Sequence, residues 1–315
     1  MSQNPARPMR DVFIETLCNR MVTNDAIWFL AADLGSPALD RMRQEFPDRF
    51  LNVGIAEQNL VNVAAGLALE GQTVYGYAIA PFIAMRAYEQ VRVNLSISSQ
   101  IRPVNVNLIG VGGGVSYQVS GPTHHCLEDL SIMRLLPNMT VFSPSDARLA
   151  EAFVDYTLAH RGPKYLRFDG KALPALYDHI APELLEDGFC HLIEGEEVCL
   201  VATGYMTQRA VRVAKEKGVG VVDLFMLKPF NVDKLFTELS RYRHVITMEE
   251  GFTNAGGLDA AIGALLAQRR STITMDRIGF NDSYVFDLGS RDSLHGLNDM
   301  DDAAVIAAVD NARRG

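Results

Sequence analysis

The sequence predicts an α/β protein of two three-layer α/β/α domains with mostly parallel sheets. Short apolar, β-branched runs alternate with helix-length stretches over residues 1–170, and after a polar, poorly periodic stretch at 170–195 a second series of the same kind begins. The runs are apolar along their whole length, as strands covered on both faces are. A boundary near residue 185 follows, giving domains at 1–185 and 186–315.

In the first domain IWFLAAD (27–33), TVYGYAI (73–79), VNVNLIG (104–110), TVFS (140–143) and KYLRF (164–168) read as buried strands. Helices are expected at 9–22, 57–70, 81–99, 126–136 and 146–160. In the second, strands are expected at 197–203, 219–225, 244–250 and 271–279, with helices near 206–217, 231–240, 255–268 and 301–313.

Hydrophobic residues make up 48% of the chain and charged ones 21%, a globular profile rather than a disordered one. A net charge of -9 argues against a nucleic-acid binder, which carries a basic face. Anionic small substrates stay open, because local Arg and His clusters override a global charge. Cys18, Cys126, Cys190 and Cys199 stand without CxxC spacing, so buried free thiols are expected, not a disulfide framework or zinc site. The N-terminus lacks an apolar signal region and no apolar run is long enough to span a bilayer, so a soluble cytoplasmic protein is expected.

GVGGGVS (110–116) follows a strand, but roughly ten polar residues, SYQVSGPTHH, come before any helix. A dinucleotide loop would open directly into a helix, so these glycines are read as a backbone turn beside a ligand. GYMTQRA (204–210) turns into a helix whose N-terminus could hold an anion.

The stretch NVGIAEQNLVNVAAGLALEG (52–71) is the most informative. A strand-like entry turns at Gly54 into a long helix with Leu60, Ala64, Leu67 and Ala68 on one face. Glu57 falls in its first turn, where an isolated carboxylate would simply complement the helix dipole. Its company changes that reading. GIAEQN, RAYEQVR (86–92), SGPTHH (120–125), LEDLSIMRLLPNMTVFSPSD (127–146) and GFNDSYVFDLGSRDSLHGLN (279–298), in this order, resemble the C-terminal two-thirds of transketolases, and most closely the C-terminal subunit of split transketolases. Deoxyxylulose-phosphate synthases and the β subunits of 2-oxoacid dehydrogenases share the fold and are the close competitors. A non-catalytic subunit is a further alternative, disfavoured by Glu57, Phe82 and His124 occurring together.

The resemblance implies a thiamine-diphosphate pyrimidine-binding domain at 1–185 and a transketolase C-terminal domain at 186–315. It implies that Glu57 hydrogen-bonds N1′ of the aminopyrimidine, sharing a proton in a poorly solvated slot and favouring the imino tautomer whose N4′ deprotonates thiazolium C2. It places Phe82 on the aminopyrimidine face, with Tyr88 a weaker candidate and Ile79 where a second aromatic often stands. His124 is implied to face the donor sugar's oxygens, with His125 beside it. Arg10, Arg167 and Ser36 fall where transketolases hold the sugar phosphate. The late GFNDSYVFDLGSRDSL segment is expected to be structural or interface-forming.

Two departures bear on substrate. The family's phosphate-contacting His falls on Gly112, and the Asp that reads a sugar hydroxyl is Ser120. A GDG diphosphate motif is missing; the nearest tripeptide, EDG (186–188), lies in the linker region. No residue of this chain is therefore expected to bind metal. Thiamine diphosphate would be shared with an N-terminal subunit that carries the diphosphate-binding domain and most of the Mg²⁺ ligation, in an α2β2 assembly. The reading is a subunit that transfers a two-carbon ketol unit from a ketose, phosphorylated or otherwise anionic, to an aldose.

Overall fold

The computed structural model describes residues 6–314. Its first unit runs α1 (Met9–Met21), β1 (Ile27–Ala31), α2 (Ala38–Glu45), β2 (Phe50–Asn52), α3 (Glu57–Leu69), β3 (Thr73–Ile79), α4 (Tyr88–Gln90), β4 (Val106–Val111), α5 (Asp129–Leu135), β5 (Thr140–Phe142), α6 (Ala147–Ala159) and β6 (Lys164–Phe168). After α7 (Pro182–Asp187), the second runs β7 (Cys190–Ile193), β8 (Val198–Ala202), α8 (Tyr205–Lys217), β9 (Gly220–Asp223), β10 (Met226–Lys228), α9 (Val232–Leu239), β11 (His244–Phe252), α10 (Leu258–Gln268), β12 (Thr274–Phe280), α11 (Arg291–Leu297) and α12 (Asp302–Arg314).

Two mostly parallel sheets result, as the alternation predicts. The seven-stranded sheet has the order β10-β5-β6-β4-β3-β1-β2 and the five-stranded one β12-β11-β8-β9-β7. Antiparallel pairing is confined to one edge of each, β10 on β5 and β7 on β9. Helices cover both faces of the larger sheet. Leu60, Val61 and Ala64 of α3 pack on one face, and Phe13 and Leu17 of α1 with Phe153 of α6 on the other. Each β-branched strand residue thus finds apolar cover on its own side, which is why the runs show no alternation.

The structure departs from the sequence reading in several elements. Residues 81–99 are not one regular helix: α4 is a single α-turn between two π-wound stretches, Phe82–Arg86 and Val91–Ile97. Strands β7 and β10 and helices α2, α7 and α11 were not expected, and β2 is the strand-like entry read before Gly54, set two residues earlier. β10 belongs to the second half of the chain yet completes the first sheet, so the two halves share a hydrogen-bonded edge. Cys18, Cys126 and Cys199 are buried, Cys190 is half-buried, and all four thiols are free. Among the described residues no helix is long and apolar enough to cross a membrane.

Candidate active site

The residues singled out by sequence gather at the carboxyl edge of the larger sheet, where parallel strands hand over to loops and ligands bind in open α/β folds. Gly54, with φ +75°, turns the chain from β2 into α3, and Glu57 is the first residue of that helix. No side chain caps α3, so its free N–H groups make a positive end that suits a carboxylate. Glu57 is 1% exposed. Its Oε2 accepts a 2.6 Å hydrogen bond from Nη1 of Arg86, whose side chain is 46% exposed.

Arg86 and Phe82 bracket the first π-wound stretch, a winding common at functional sites. The guanidinium carbon of Arg86 lies 4.6 Å from the Phe82 ring centroid. His124 meets the same ring edge-on, with centroids 5.4 Å apart, and its Nδ1 is 3.0 Å from the Thr123 hydroxyl. Glu57, Arg86, Phe82 and His124 thus form one contiguous chain of contacts. Arg86 was not singled out by sequence: it lies 29 positions from Glu57, and RAYEQVR alone does not show what its side chain meets. Ile79, half-buried at the end of β3, is in register with Val111 of β4.

Tyr88 is a correction. Its ring packs against the core and its hydroxyl donates to the Ile132 carbonyl at 2.9 Å, so it ties α4 to α5 and does not join the Glu57–Phe82 pair. Arg167 is a second correction. It is 6% exposed, its Nε donates to Asp129 at 2.9 Å, and its Nη2 donates to the carbonyls of Cys126 and Glu250 at 2.8 Å each. That guanidinium is an internal clamp through Nε and Nη2, which leaves Nη1 alone for a substrate anion, so the sequence expectation of a free phosphate hand is narrowed to one nitrogen. The glycine turn is a third. A side chain at Gly113 would overlap Arg167, one at Gly114 would overlap Glu250, and one at Gly112 (φ +96°) would overlap the Tyr117 ring. These glycines make room for the protein's own side chains rather than for a ligand.

Arg10 sits in the first turn of α1, part-buried, with Nε 3.3 Å from Asp11 Oδ1, and Ser36 donates to the same oxygen at 2.7 Å. The buried Tyr77 hydroxyl faces the Arg10 guanidinium, which among the described residues is the one polar group that approaches it. Burial pushes the Tyr117 hydroxyl up, and the Arg10 charge partly opposes it. Arg10, Tyr77 and Tyr117 therefore converge, and Tyr117 fills the space above Gly112 where a larger residue would have projected. Ser120 is exposed, its N–H donating to the Tyr117 carbonyl in a turn. His125 is 3% exposed with both ring nitrogens unpartnered; burial lowers its pKa first, Glu250 opposes and His124 adds to the lowering.

The second domain braces this edge from below. Arg291 donates through Nε to Glu250 at 2.7 Å and through Nη1 to Asp169 at 2.6 Å, and its guanidinium carbon stacks 3.6 Å from the Tyr205 centroid. His295 Nε2 lies 2.7 Å from Glu250. Burial would push Glu250 up, but the Arg291 charge and the hydrogen bonds from Arg291 and His295 hold it far below the usual carboxylate range. The start of α8 is spoken for as well: Thr203 donates to the Ser143 carbonyl, Gln208 donates to the Ser145 and Pro174 carbonyls, and Tyr205 lies under Arg291. The N–H groups of Met206 and Thr207 bond to the carbonyls of Thr203 and Gly204 within the turn itself.

Glu57 and Phe82 carry the groups a planar nitrogen heterocycle would use, a buried carboxyl and an aromatic face. A buried carboxylate faces a planar donor group lying on an aromatic ring, and the donor present is a half-exposed arginine. Among the described residues there is no group of three or more His, Cys, Asp or Glu that could hold a metal ion.

Residues 6–175 match the transketolase pyrimidine-binding domain and residues 191–299 the transketolase C-terminal domain. The chain is 32% identical over 311 residues, 97% of each protein, to the second subunit of the apulose-4-phosphate transketolase of Actinobacillus succinogenes. It is 31% identical to the 6-deoxy-6-sulfo-D-fructose transketolase subunit SqwH of a Clostridium species, over 88% of this chain and 85% of that one. Among solved structures, a split-gene transketolase described as an inactive beta4 tetramer superposes with a TM-score of 0.85 at 32% identity, covering 97% of this chain and 98% of that one. The chain belongs to the transketolase family and has the two-domain make-up of its separately encoded C-terminal subunits.

Proposed function

We propose that this chain is the pyrimidine-binding half of a two-subunit, thiamine-diphosphate-dependent transketolase that moves a two-carbon ketol unit from an anionic ketose to an aldose. The observation that carries the reading is the buried Glu57 carboxylate at the start of α3, with Phe82 and His124 in one contact chain beside it. Bound thiamine diphosphate would supply the carbanion chemistry of the transfer. Glu57 would hold the proton shared with the aminopyrimidine N1′, in a slot where little water competes. Phe82 would cover the ring, fix its plane and exclude solvent, with Ile79 lining the wall. His124, oriented through Thr123, would exchange a hydrogen bond with a sugar oxygen, and His125 would support it from the interior.

Arg10 would face the substrate anion, with Ser36 and Asp11 setting its side chain. The relatives named for a phosphate-bearing and a sulfo-bearing ketose support an anionic donor for this chain. The diphosphate and Mg²⁺ would be held mainly by an N-terminal subunit. Exposed Ile55, Met85 and Val119 flank Glu57, Arg86 and the Gly121–His125 turn along the chain, and exposed Leu288 packs beside Gly121. An apolar rim of this kind is what a partner subunit covers, in an α2β2 complex.

The test is reconstitution with a partner chain bearing a diphosphate-binding domain, thiamine diphosphate and Mg²⁺. Ketol transfer from phosphorylated and sulfonated ketoses should appear only in the mixture, and Glu57→Ala should reduce it by about a hundredfold or more. A variant as fast as the parent would leave a binding role in place of a catalytic one.

A further inference from the structure

We propose that Arg86 is a placeholder for the cofactor's aminopyrimidine, holding Glu57 and Phe82 in the free subunit and giving way when the ring enters. The inference rests on the reading that Glu57 and Phe82 receive that ring. Arg86 occupies both groups the ring would use: its Nη1 donates to Glu57 Oε2 at 2.6 Å and its guanidinium carbon lies 4.6 Å from the Phe82 centroid. A guanidinium and an aminopyrimidine are both planar, nitrogen-rich groups with a π face, so the two compete for the Phe82 ring beside Glu57.

The asymmetry of the pair shows which partner yields. Glu57 is fixed at a helix start and buried, with a side chain 2% exposed, whereas the Arg86 side chain is 46% exposed and ends a π-wound stretch. Leaving Glu57 without a donor would strand a buried carboxylate; moving Arg86 out costs only a partly solvated ion pair. Arg86 therefore keeps the slot satisfied and dry before assembly, and its departure is coupled to ring entry. Apparent affinity for the ring is lowered by the fraction of molecules in which Arg86 is seated.

The full chain and its Arg86→Gln and Arg86→Lys variants would be titrated calorimetrically with 4-amino-5-hydroxymethyl-2-methylpyrimidine at low and high salt, after thermal melts establish that all three are folded. Arg86→Gln should bind the pyrimidine about fivefold tighter than the parent, the worth of a half-exposed ion pair, with Arg86→Lys in between. Added salt should tighten binding to the parent, by loosening the ion pair, and leave Arg86→Gln unchanged. Equal or weaker binding by Arg86→Gln overturns the placeholder and makes Arg86 a support for the ring. If that happens while Glu57→Ala abolishes binding, the reading of Glu57 stands and only the inference on Arg86 falls. If none of the folded proteins binds the pyrimidine, both fall together.

Discussion

Two charged clusters sit a short distance apart in this protein and are built on opposite principles. At the domain junction, Asp169, Glu250, Arg291 and His295 are all at least nine-tenths buried, and each carboxylate is answered by a cation and by hydrogen bonds. At the sheet edge, the buried Glu57 is answered by one half-exposed arginine, His124 is half-buried, and His125 keeps unpartnered polar atoms. A closed cluster fixes two domains relative to each other; an open one leaves bonding capacity for something that arrives. The difference separates the arginines too. Arg167 belongs to the closed kind and Arg86 and Arg10 to the open kind, although all three look alike in sequence.

The largest effect should come from opening the closed cluster. Arg291→Met removes the cation shared by Glu250 and Asp169 and leaves both carboxylates buried, which should cost about 3–5 kcal/mol of stability. Chemical denaturation would read this as a fall in midpoint, and a loss within about 0.5 kcal/mol of zero would show that water already reaches the junction. Glu57→Ala, the mirror experiment, should cost ketol transfer its hundredfold and leave the denaturation midpoint close to the parent's, because the partner it abandons is already half in solvent.

A smaller effect is expected from a carboxyl that is neither ion-paired nor open. Asp223 is buried and accepts hydrogen bonds from Ser145, Tyr177 and Thr207. Burial pushes it up to about 7, the three hydroxyls oppose that, and nearby Asp146 adds to it. The folded chain therefore binds this proton more tightly than the unfolded chain does. The resulting penalty is absent below about pH 4, grows as pH rises, and is complete above about pH 7. Asp223→Asn, whose amide can donate to Thr207 while its oxygen accepts from Ser145 and Tyr177, should gain on the order of 2 kcal/mol over the parent at about pH 8 and nothing at about pH 4. A constant difference between the two proteins across that range would mean that Asp223 stays ionised.

The sequence made the scaffold legible where its signal was local. The all-apolar runs of β1, β3, β4 and β6 and the amphipathic α3 and α6 declare themselves within a dozen residues. β2 and β10, three residues each, are too short to show a period, and β10 is a strand only because β5 of the other half pairs with it. The π winding at Phe82–Arg86 has no marker in the apolar pattern, since Phe82, Ile83 and Ala84 suit an ordinary helix equally well. In the site, Glu57 was legible because GIAEQN stands in order with four further motifs that resemble transketolases; its place at a helix start alone would have given only a carboxylate complementing the dipole. The internal role of Arg167 was not legible because what engages its Nε and Nη2, Asp129 and the carbonyls of Cys126 and Glu250, lies 38, 41 and 83 positions away. Tyr117 was missed because its meaning is steric: it becomes visible only as the ring that fills the space over Gly112.

Arg10 gives the finest division between the two kinds of cluster. Its Nε–Asp11 contact of 3.3 Å is long, its side chain is 22% exposed, and Asp11 is already engaged by Ser36. Its fork can therefore turn to an anion by giving up only this long contact and its approach to the Tyr77 hydroxyl, and truncation leaves Asp11 still paired with Ser36. Arg10→Ala should lower kcat/KM for a phosphorylated or sulfonated ketose by about tenfold, the worth of one charge-assisted hydrogen bond, mostly through KM. The same variant should leave kcat/KM for an uncharged ketose within about twofold, and the neutral substrate makes the measurement decisive. Equal losses on charged and neutral sugars would place Arg10 among the braces with Arg167, and would leave the half-buried Tyr117 as the group at that end able to meet a substrate.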